Sequence, residues 1–361
     1  MSNKPHSAVK SNRVLYFDVM RVLAICAVIW VHVAAFNFHN VPLNSFAWQV
    51  FNVFDAIGRW TVPVLVMISG ALFLDPVKNI DIKKLFSRNI FRIVTAFFFW
   101  SGIYAVYEFA CGLSLRDAIQ AFLTGHYHMW YLFLIVSLYI LAPALKKVTE
   151  NEMLTRYVLI ITAVISFVIP QSFVILSTLN IPVLPTILYY LQQTYNKLLG
   201  YLPTGYIFYY LIGDYIARHE ISPKVQKGIY IAGVTACLLT MVLSSWYSNL
   251  LGYADDSFYA EISVNIAVMS VAAFVFGKYY ISRISLEGNM LKVLLHMSKC
   301  SFGMYLVHDL FIVILNNQFG LNTLSFNPVI GVILLFAIVF MASYALSAIL
   351  NKIPLLNKYI C

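Results

Sequence analysis

The lysines and arginines of this 361-residue chain fall in alternate gaps between about ten long apolar stretches. A helix that crosses a bilayer needs about 20 mostly apolar residues. Stretches of that kind lie near 14–36, 47–74, 90–111, 129–145, 156–178, 201–217, 229–250, 259–281, 299–319 and 327–350, the fourth and sixth being short. One set of gaps holds Lys4, Lys10 and Arg13; Lys78, Lys83, Lys84, Arg88 and Arg92; Lys146, Lys147 and Arg156; Arg218, Lys224 and Lys227; Lys278, Arg283, Lys292 and Lys299; and Lys352 and Lys358. That is 20 of the 24 basic residues. The opposite gaps hold Arg116 and Lys197, and Arg21 and Arg59 lie inside spans. Basic residues stay on the cytoplasmic side. Nine or eleven crossings break this alternation, so the reading is an all-α, polytopic transmembrane helical bundle of about ten spans with both termini cytoplasmic. Residues 1–13 and 351–361 are then cytoplasmic tails, and 14–350 forms a single membrane domain.

Composition agrees. Hydrophobic residues make up 61% of the chain and charged residues 11%, against about 45–50% and about 25% in soluble domains. The net charge of +9 is therefore an orientation signal and not a nucleic-acid footprint. Asp18 and Arg21 interrupt the first apolar run, which is also too long for a signal peptide, so it is expected to remain as a span. The five cysteines are scattered, with no metal or redox spacing. The one long outer loop, 179–200, has a candidate interfacial helix from Thr186 to Leu198. Its Tyr and Gln residues suit either sugar binding or an aromatic belt.

Ionisable side chains inside a span cost at least about 2.5–3.5 kcal/mol at a helix centre, so they mark cavities or partners. Span 1 carries Asp18, Arg21 and His32. Asp18 and Arg21 are three apart and can pair. His32 follows Arg21 by about three turns, on the same face and about 16 Å further along. That face offers a cation in the inner half and, in the outer half, a base that titrates near neutrality. The alternative is a self-paired Asp–Arg and a histidine bonded to a neighbouring carbonyl. Span 2 carries Asp55 and Arg59, four apart, ahead of Pro63, and a purely structural pair competes with a functional arginine. Span 4 opens on His126-Tyr127-His128-Met129-Trp130-Tyr131. On a helix the two histidines point apart, so no metal site is expected there, and an aromatic belt competes for Trp130 and Tyr131. Span 9 carries Tyr305, His308 and Asp309, an expensive set for a span with no polar task.

These islands together resemble the integral-membrane acyltransferase family 3, and within it the surface-polysaccharide O-acetyltransferase branch that includes the enterobacterial common antigen enzyme. The segments that carry the likeness are YFDVMRVLAICAVIWVHV (16–33), GRWTVPVLVMISGALFL (58–74), KKLFSRNIFRI (83–93), HMWYLFLIVSLYILAPAL (128–145), YYLIGDYIA (209–217), SFGMYLVH (301–308) and LNKIPLLNK (350–358). Such proteins move an acyl group, usually acetyl, from cytoplasmic acyl-CoA to a hydroxyl of a glycan or lipid-linked sugar. The resemblance implies a multi-pass protein of the bacterial cytoplasmic membrane with acyl-CoA as co-substrate; the cysteine and histidine spacings add no metal to that expectation. It matches Arg21 and His32 to the family's span-1 arginine and histidine, His32 being the base. The family's basic pair after span 2 is often two arginines three apart; here Arg88 and Arg92 are four apart.

The residues support that chemistry independently. CoA is polyanionic, and Lys83, Lys84, Arg88 and Arg92 form an inner basic cluster, although plain positive-inside charge explains it too. Lys84, Arg88 and Arg92 are the candidate CoA-binding residues. His32, Arg21, Arg59 and His308 are the catalytic candidates, and His128, Trp130, Tyr131 and Tyr305 the candidates for holding the acceptor. Arg59, Tyr131 and Tyr305 are also candidate donors to a thioester oxygen. The competing functions are a transporter or flippase of a lipid-linked sugar, which paired broken helices in the two halves would favour, and a sensor or structural subunit acting with a partner. A homo-oligomer is compatible with all three.

Overall fold

The computed structural model describes residues 14–199 and 202–361, and every regular element among them is helical. The expected tail 1–13, with Lys4, Lys10 and Arg13, lies outside the described residues. In chain order the α-helices are α1 Leu15–Ala35, α2 Phe46–Gly58, α3 Thr61–Phe73, α4 Ile82–Lys84, α5 Phe91–Ala110, α6 Leu115–Thr124, α7 Trp130–Thr149 and α8 Glu152–Ala163. They continue as α9 Ile169–Ser177, α10 Leu184–Leu199, α11 Thr204–Arg218, α12 Pro223–Leu251, α13 Val264–Tyr279, α14 Gly288–Phe319, α15 Pro328–Leu350 and α16 Pro354–Tyr359.

Among the described residues, nine helical stretches are long and apolar enough to cross a membrane. The tenth expected crossing, 201–217, is α11, whose 15 residues extend about 22 Å. Its neighbours show what it connects. At its N-terminal end Gly205 packs on Ile262 and Tyr209 donates to the Glu261 carbonyl. At its C-terminal end Arg218 bonds Asp214 at 2.9 Å and reaches the Thr149 carbonyl. The short helix thus joins the same two layers as the long ones.

The inter-loop hydrogen bonds sort into those two layers. On the lysine- and arginine-rich side, Thr149 donates to the Leu74 carbonyl, Lys146 to Lys78, Lys278 to His219 and Thr95 to Tyr359. On the opposite side, Asn37 bonds Thr323, Asn249 bonds Asn44 and His39 meets Asp256. Each of these bonds joins gaps, or the span ends beside them, that the basic-residue pattern assigns to one side.

Two expected spans are interrupted, and a third is entered through a π-helical turn. Pro63 has no N–H for the Arg59 carbonyl, and the helix breaks at Arg59–Trp60 into α2 and α3. A π-helical turn, Leu85–Ile90, leads into α5. Another, Val164–Val168, precedes Pro170 at the start of α9. The interfacial helix expected at Thr186–Leu198 is present as α10. The outer helix α6, capped by Ser114 at the Asp117 N–H, was not expected, because ten residues are too few to register as a span. The final residues fold back: α16 packs on α5, and Thr95 and Trp100 donate to the Tyr359 and Ile360 carbonyls.

The core sits around α1, which touches α2, α3, α13, α14 and α15. Backbones approach most closely between α3 and α11. There a Cβ on Gly70 collides with the Tyr210 backbone, and one on Gly213 collides with the Met67 backbone. Small residues at such crossings are how membrane helices pack without a hydrophobic drive between them.

Candidate active site

Two cavities enter the bundle from opposite sides, and Tyr131 lines both. The outer one, about 490 Å³, is walled by α1, the Arg59 break, the 126–131 segment, the loop before α13, and α14. The inner one, about 1110 Å³, is walled by the π-turn, α5, α7 and α16.

The outer cavity is built on a hydrogen-bonded chain. Tyr127 donates its hydroxyl proton to Asp309 Oδ1 at 2.7 Å. A hydroxyl has one proton, so with Asp309 as a carboxylate the Tyr127 oxygen is an acceptor toward His32. His32 Nδ1 lies 3.0 Å from that oxygen and therefore carries the hydrogen. The lone pair of His32 is left on Nε2, and His32 lines the cavity. The arrangement orients a histidine through a carboxylate, as in nucleophilic triads, with a tyrosine between them.

His308 lies beside it, the two rings 4.8 Å apart between centroids. Its Nδ1 donates to the Tyr305 carbonyl one turn back, at 2.7 Å. Its Nε2 is buried and has no hydrogen-bond partner. The Tyr104 hydroxyl bridges the Leu306 carbonyl and the Leu310 N–H, locking the helical turn that carries His308 and Asp309. Tyr305 donates to the His128 carbonyl, which ties α14 to the 126–131 segment.

Residues 126–128 are not helical in the way expected. His126 is extended, and Tyr127–Met129 forms a 3-10 turn. Instead of pointing apart, His126 and His128 bring their Nδ1 atoms within 3.0 Å, and His126 Nδ1 lies 3.3 Å from Asp309 Oδ2. The helical premise on which no metal site was expected here therefore does not hold.

Arg59 forms the expected pair with Asp55 and also lines the outer cavity. Its guanidinium grips Asp55 with two hydrogen bonds, Nε to Oδ1 at 2.7 Å. It also stacks over Tyr259 at 4.9 Å and lines the outer cavity with Glu261. Trp130 and Tyr131 line that cavity too, whereas His128 and Tyr305 support its floor while reaching it.

Arg21 does not join His32. It sits one layer inward, 3.6 Å from Asp18, whose carboxylate also accepts from Ser298 at 2.7 Å. Arg21 lies within electrostatic range of Tyr131 and Tyr139, which line the inner cavity beside Ser69. It therefore faces the partition between the cavities from the inner side.

The inner cavity collects Lys84, Arg88, Arg92 and Lys358, with no Asp or Glu among its lining residues. Arg88 lies in the π-turn and Arg92 in the first turn of α5, and residues four apart on a helix share a face. That local geometry brings Arg88 and Arg92 to one wall. Arg92 also lies 5.4 Å from the Phe302 ring, and its buried Nε has no hydrogen-bond partner. Of the sequence candidates, His32, His308, Arg59, His128, Trp130, Tyr131 and Tyr305 thus gather on one side, and Lys84, Arg88 and Arg92 on the other. The sequence reading did not single out Tyr127, His126 or Lys358 as site residues. The only prior signal for the first two was a run of ring residues at a span boundary.

No curated protein and no solved structure matches the chain. A family model described as an acyltransferase domain, that of acyltransferase family 3, matches residues 14–351. The match runs from the residue before α1 to the residue after α15 and takes in both cavities apart from the α16 wall. The chain belongs to the integral-membrane acyltransferase family 3.

Proposed function

We propose that this membrane acyltransferase is an O-acetyltransferase of the bacterial cytoplasmic membrane. It takes acetyl from acetyl-CoA on the cytoplasmic side and passes it to a hydroxyl of a surface polysaccharide or lipid-linked glycan in the outer cavity. The observation that carries the reading is that an acid-free basic cavity and a histidine-bearing cavity meet from opposite sides at Tyr131.

Lys84, Arg88, Arg92 and Lys358 suit the phosphates of CoA; a guanidinium grips phosphate bidentately, and an enclosed patch of one sign concentrates an anionic ligand. The thioester end then lies toward Tyr131. In the outer cavity the acceptor hydroxyl gives its proton to His32 Nε2 as its oxygen attacks the thioester carbonyl carbon. The tetrahedral intermediate collapses with cleavage of the C–S bond. CoA leaves as thiolate and takes up a proton, and the ester stays on the glycan. Charge on the former carbonyl oxygen needs a preorganised donor, and Tyr131, at the partition, is the side chain that supplies it. Arg21 acts on the same hydroxyl from the inner side. His128, Trp130 and Tyr305 form the acceptor wall. Ring faces and mixed charge from Arg59, Glu261 and Asp256 suit a hydroxyl-rich ligand.

The double variant Arg88→Ala/Arg92→Ala tests the donor side. Removing phosphate contacts weakens uniform binding, so KM for acetyl-CoA rises while kcat changes less. An unchanged KM assigns those residues to membrane orientation alone.

A further inference from the structure

Three atoms that face one another in the outer cavity take no part in the transfer chemistry, although two of their residues, His128 and Asp309, do. We propose that His126 Nδ1, His128 Nδ1 and Asp309 Oδ2 bind a divalent transition metal ion of the zinc class.

Three observations carry this. The first is spacing. His126 Nδ1 lies 3.0 Å from His128 Nδ1 and 3.3 Å from Asp309 Oδ2, and each of the three residues offers a ligand atom within 4.8 Å of the others'. Ligands about 2.0–2.1 Å from zinc at tetrahedral angles sit about 3.3 Å apart. The second is the hydrogen-bond count. Asp309 and His128 are each 1% exposed. At most one proton lies between the two Nδ1 atoms, and Asp309 Oδ2 has no hydrogen-bond donor although Oδ1 takes the Tyr127 hydroxyl. A cation at the centre satisfies all three lone pairs at once. A buried carboxylate oxygen left without a donor is otherwise destabilising.

The third is the surroundings. Glu108 Oε1 lies 3.7 Å from His126 Nε2. A carboxylate on the far nitrogen is the usual support of a metal-bound histidine, since it holds the hydrogen on that nitrogen and the lone pair on the other. A separate outer cavity of about 390 Å³ ends at His126 and Tyr127. Glu108 and Asp117 line it, and no lysine or arginine does. It provides a cation with a path from the outer face. The three ligands leave a fourth position toward the main outer cavity, which His126, His128 and Asp309 all line. Three protein ligands and an open position mark catalytic rather than structural zinc.

A neighbouring trio, His32, His308 and Asp309, also meets the spacing. Its His32 Nδ1, however, is already engaged with Tyr127. Binding of the ion does not depend on the acyltransferase reading. Its effect does: an acceptor oxygen drawn to the open position loses its proton to His32 more easily.

The test uses full-length protein purified in detergent on an affinity tag that contains no histidine, stripped with chelator and titrated with Co²⁺ and then Zn²⁺. The expected result is one Co²⁺ per chain with the visible absorption of a tetrahedral site, bleached by Zn²⁺. His126→Ala and Asp309→Asn remove the band, and His296→Ala, on the opposite side of the membrane, keeps it. Glu108→Gln lowers Zn²⁺ affinity by roughly 10–100-fold. Wild type that takes up neither ion stoichiometrically overturns the proposal, whatever the folding of the variants. So does uptake that survives His126→Ala undiminished.

Discussion

At the scale of single residues, the account turns on which nitrogen of His32 is free. The Asp309–Tyr127–His32 chain holds Nδ1 and presents Nε2. His32→Ala is expected to abolish transfer in purified protein while insertion is retained; loss of a general base costs about 10²–10⁴-fold in rate. His32→Gln does not rescue, because an amide bonds but does not take the proton. Near-normal turnover by that variant makes His32 a structural donor and moves the base to His308. Tyr127→Phe keeps the ring and breaks the chain. A hydrogen bond to a charged group is worth about 1.5–3 kcal/mol, so kcat falls about 10–100-fold with KM little changed. His32 and His308 were legible in the sequence because an ionisable group stands out in an apolar run. Tyr127 and His126 were not. Their roles depend on a 3-10 turn replacing a helix at 127–129 and on α14 delivering Asp309 to it. Neither is written in local residue spacing.

At the scale of elements, the spans were legible from apolar length and their irregularities were not. The break at Arg59 and the turn at Leu85–Ile90 put the guanidinium groups where they are, yet each reads as one continuous apolar or basic run. Pro63 was the visible clue to the first break, and the π-turn had none. The pairing of α3 with α11 rests on Gly70 and Gly213, which meet the facing backbone directly. Gly70→Ala puts a methyl against the Tyr210 backbone, which no side-chain rotation relieves. Overpacking of this kind costs about 1–3 kcal/mol, so the variant is expected to unfold at lower temperature in a detergent thermal-shift assay. Equal midpoints for Gly70→Ala and wild type contradict the close approach.

For the whole molecule, the alternation of basic gaps and the layering of loop–loop hydrogen bonds agree on ten traverses, with the short α11 counted among them. Cysteine labelling from outside, in a cysteine-free background, is expected to reach positions 40, 117 and 190 and to miss 79, 222 and 287. Outside labelling at 79 or 222 inverts the map and takes the basic cavity off the cytoplasmic side. That two-sided layout is the central claim, and sidedness of the reaction tests it most directly. Protein is reconstituted in one orientation in vesicles that hold a glycolipid acceptor, and labelled acetyl-CoA is supplied to one face at a time. The account predicts label on the glycolipid only when acetyl-CoA meets the face that bears Lys84, Arg88 and Arg92, and none with His32→Ala. Equal labelling from either face, or acetyl-CoA left unconsumed by wild type from both, contradicts it.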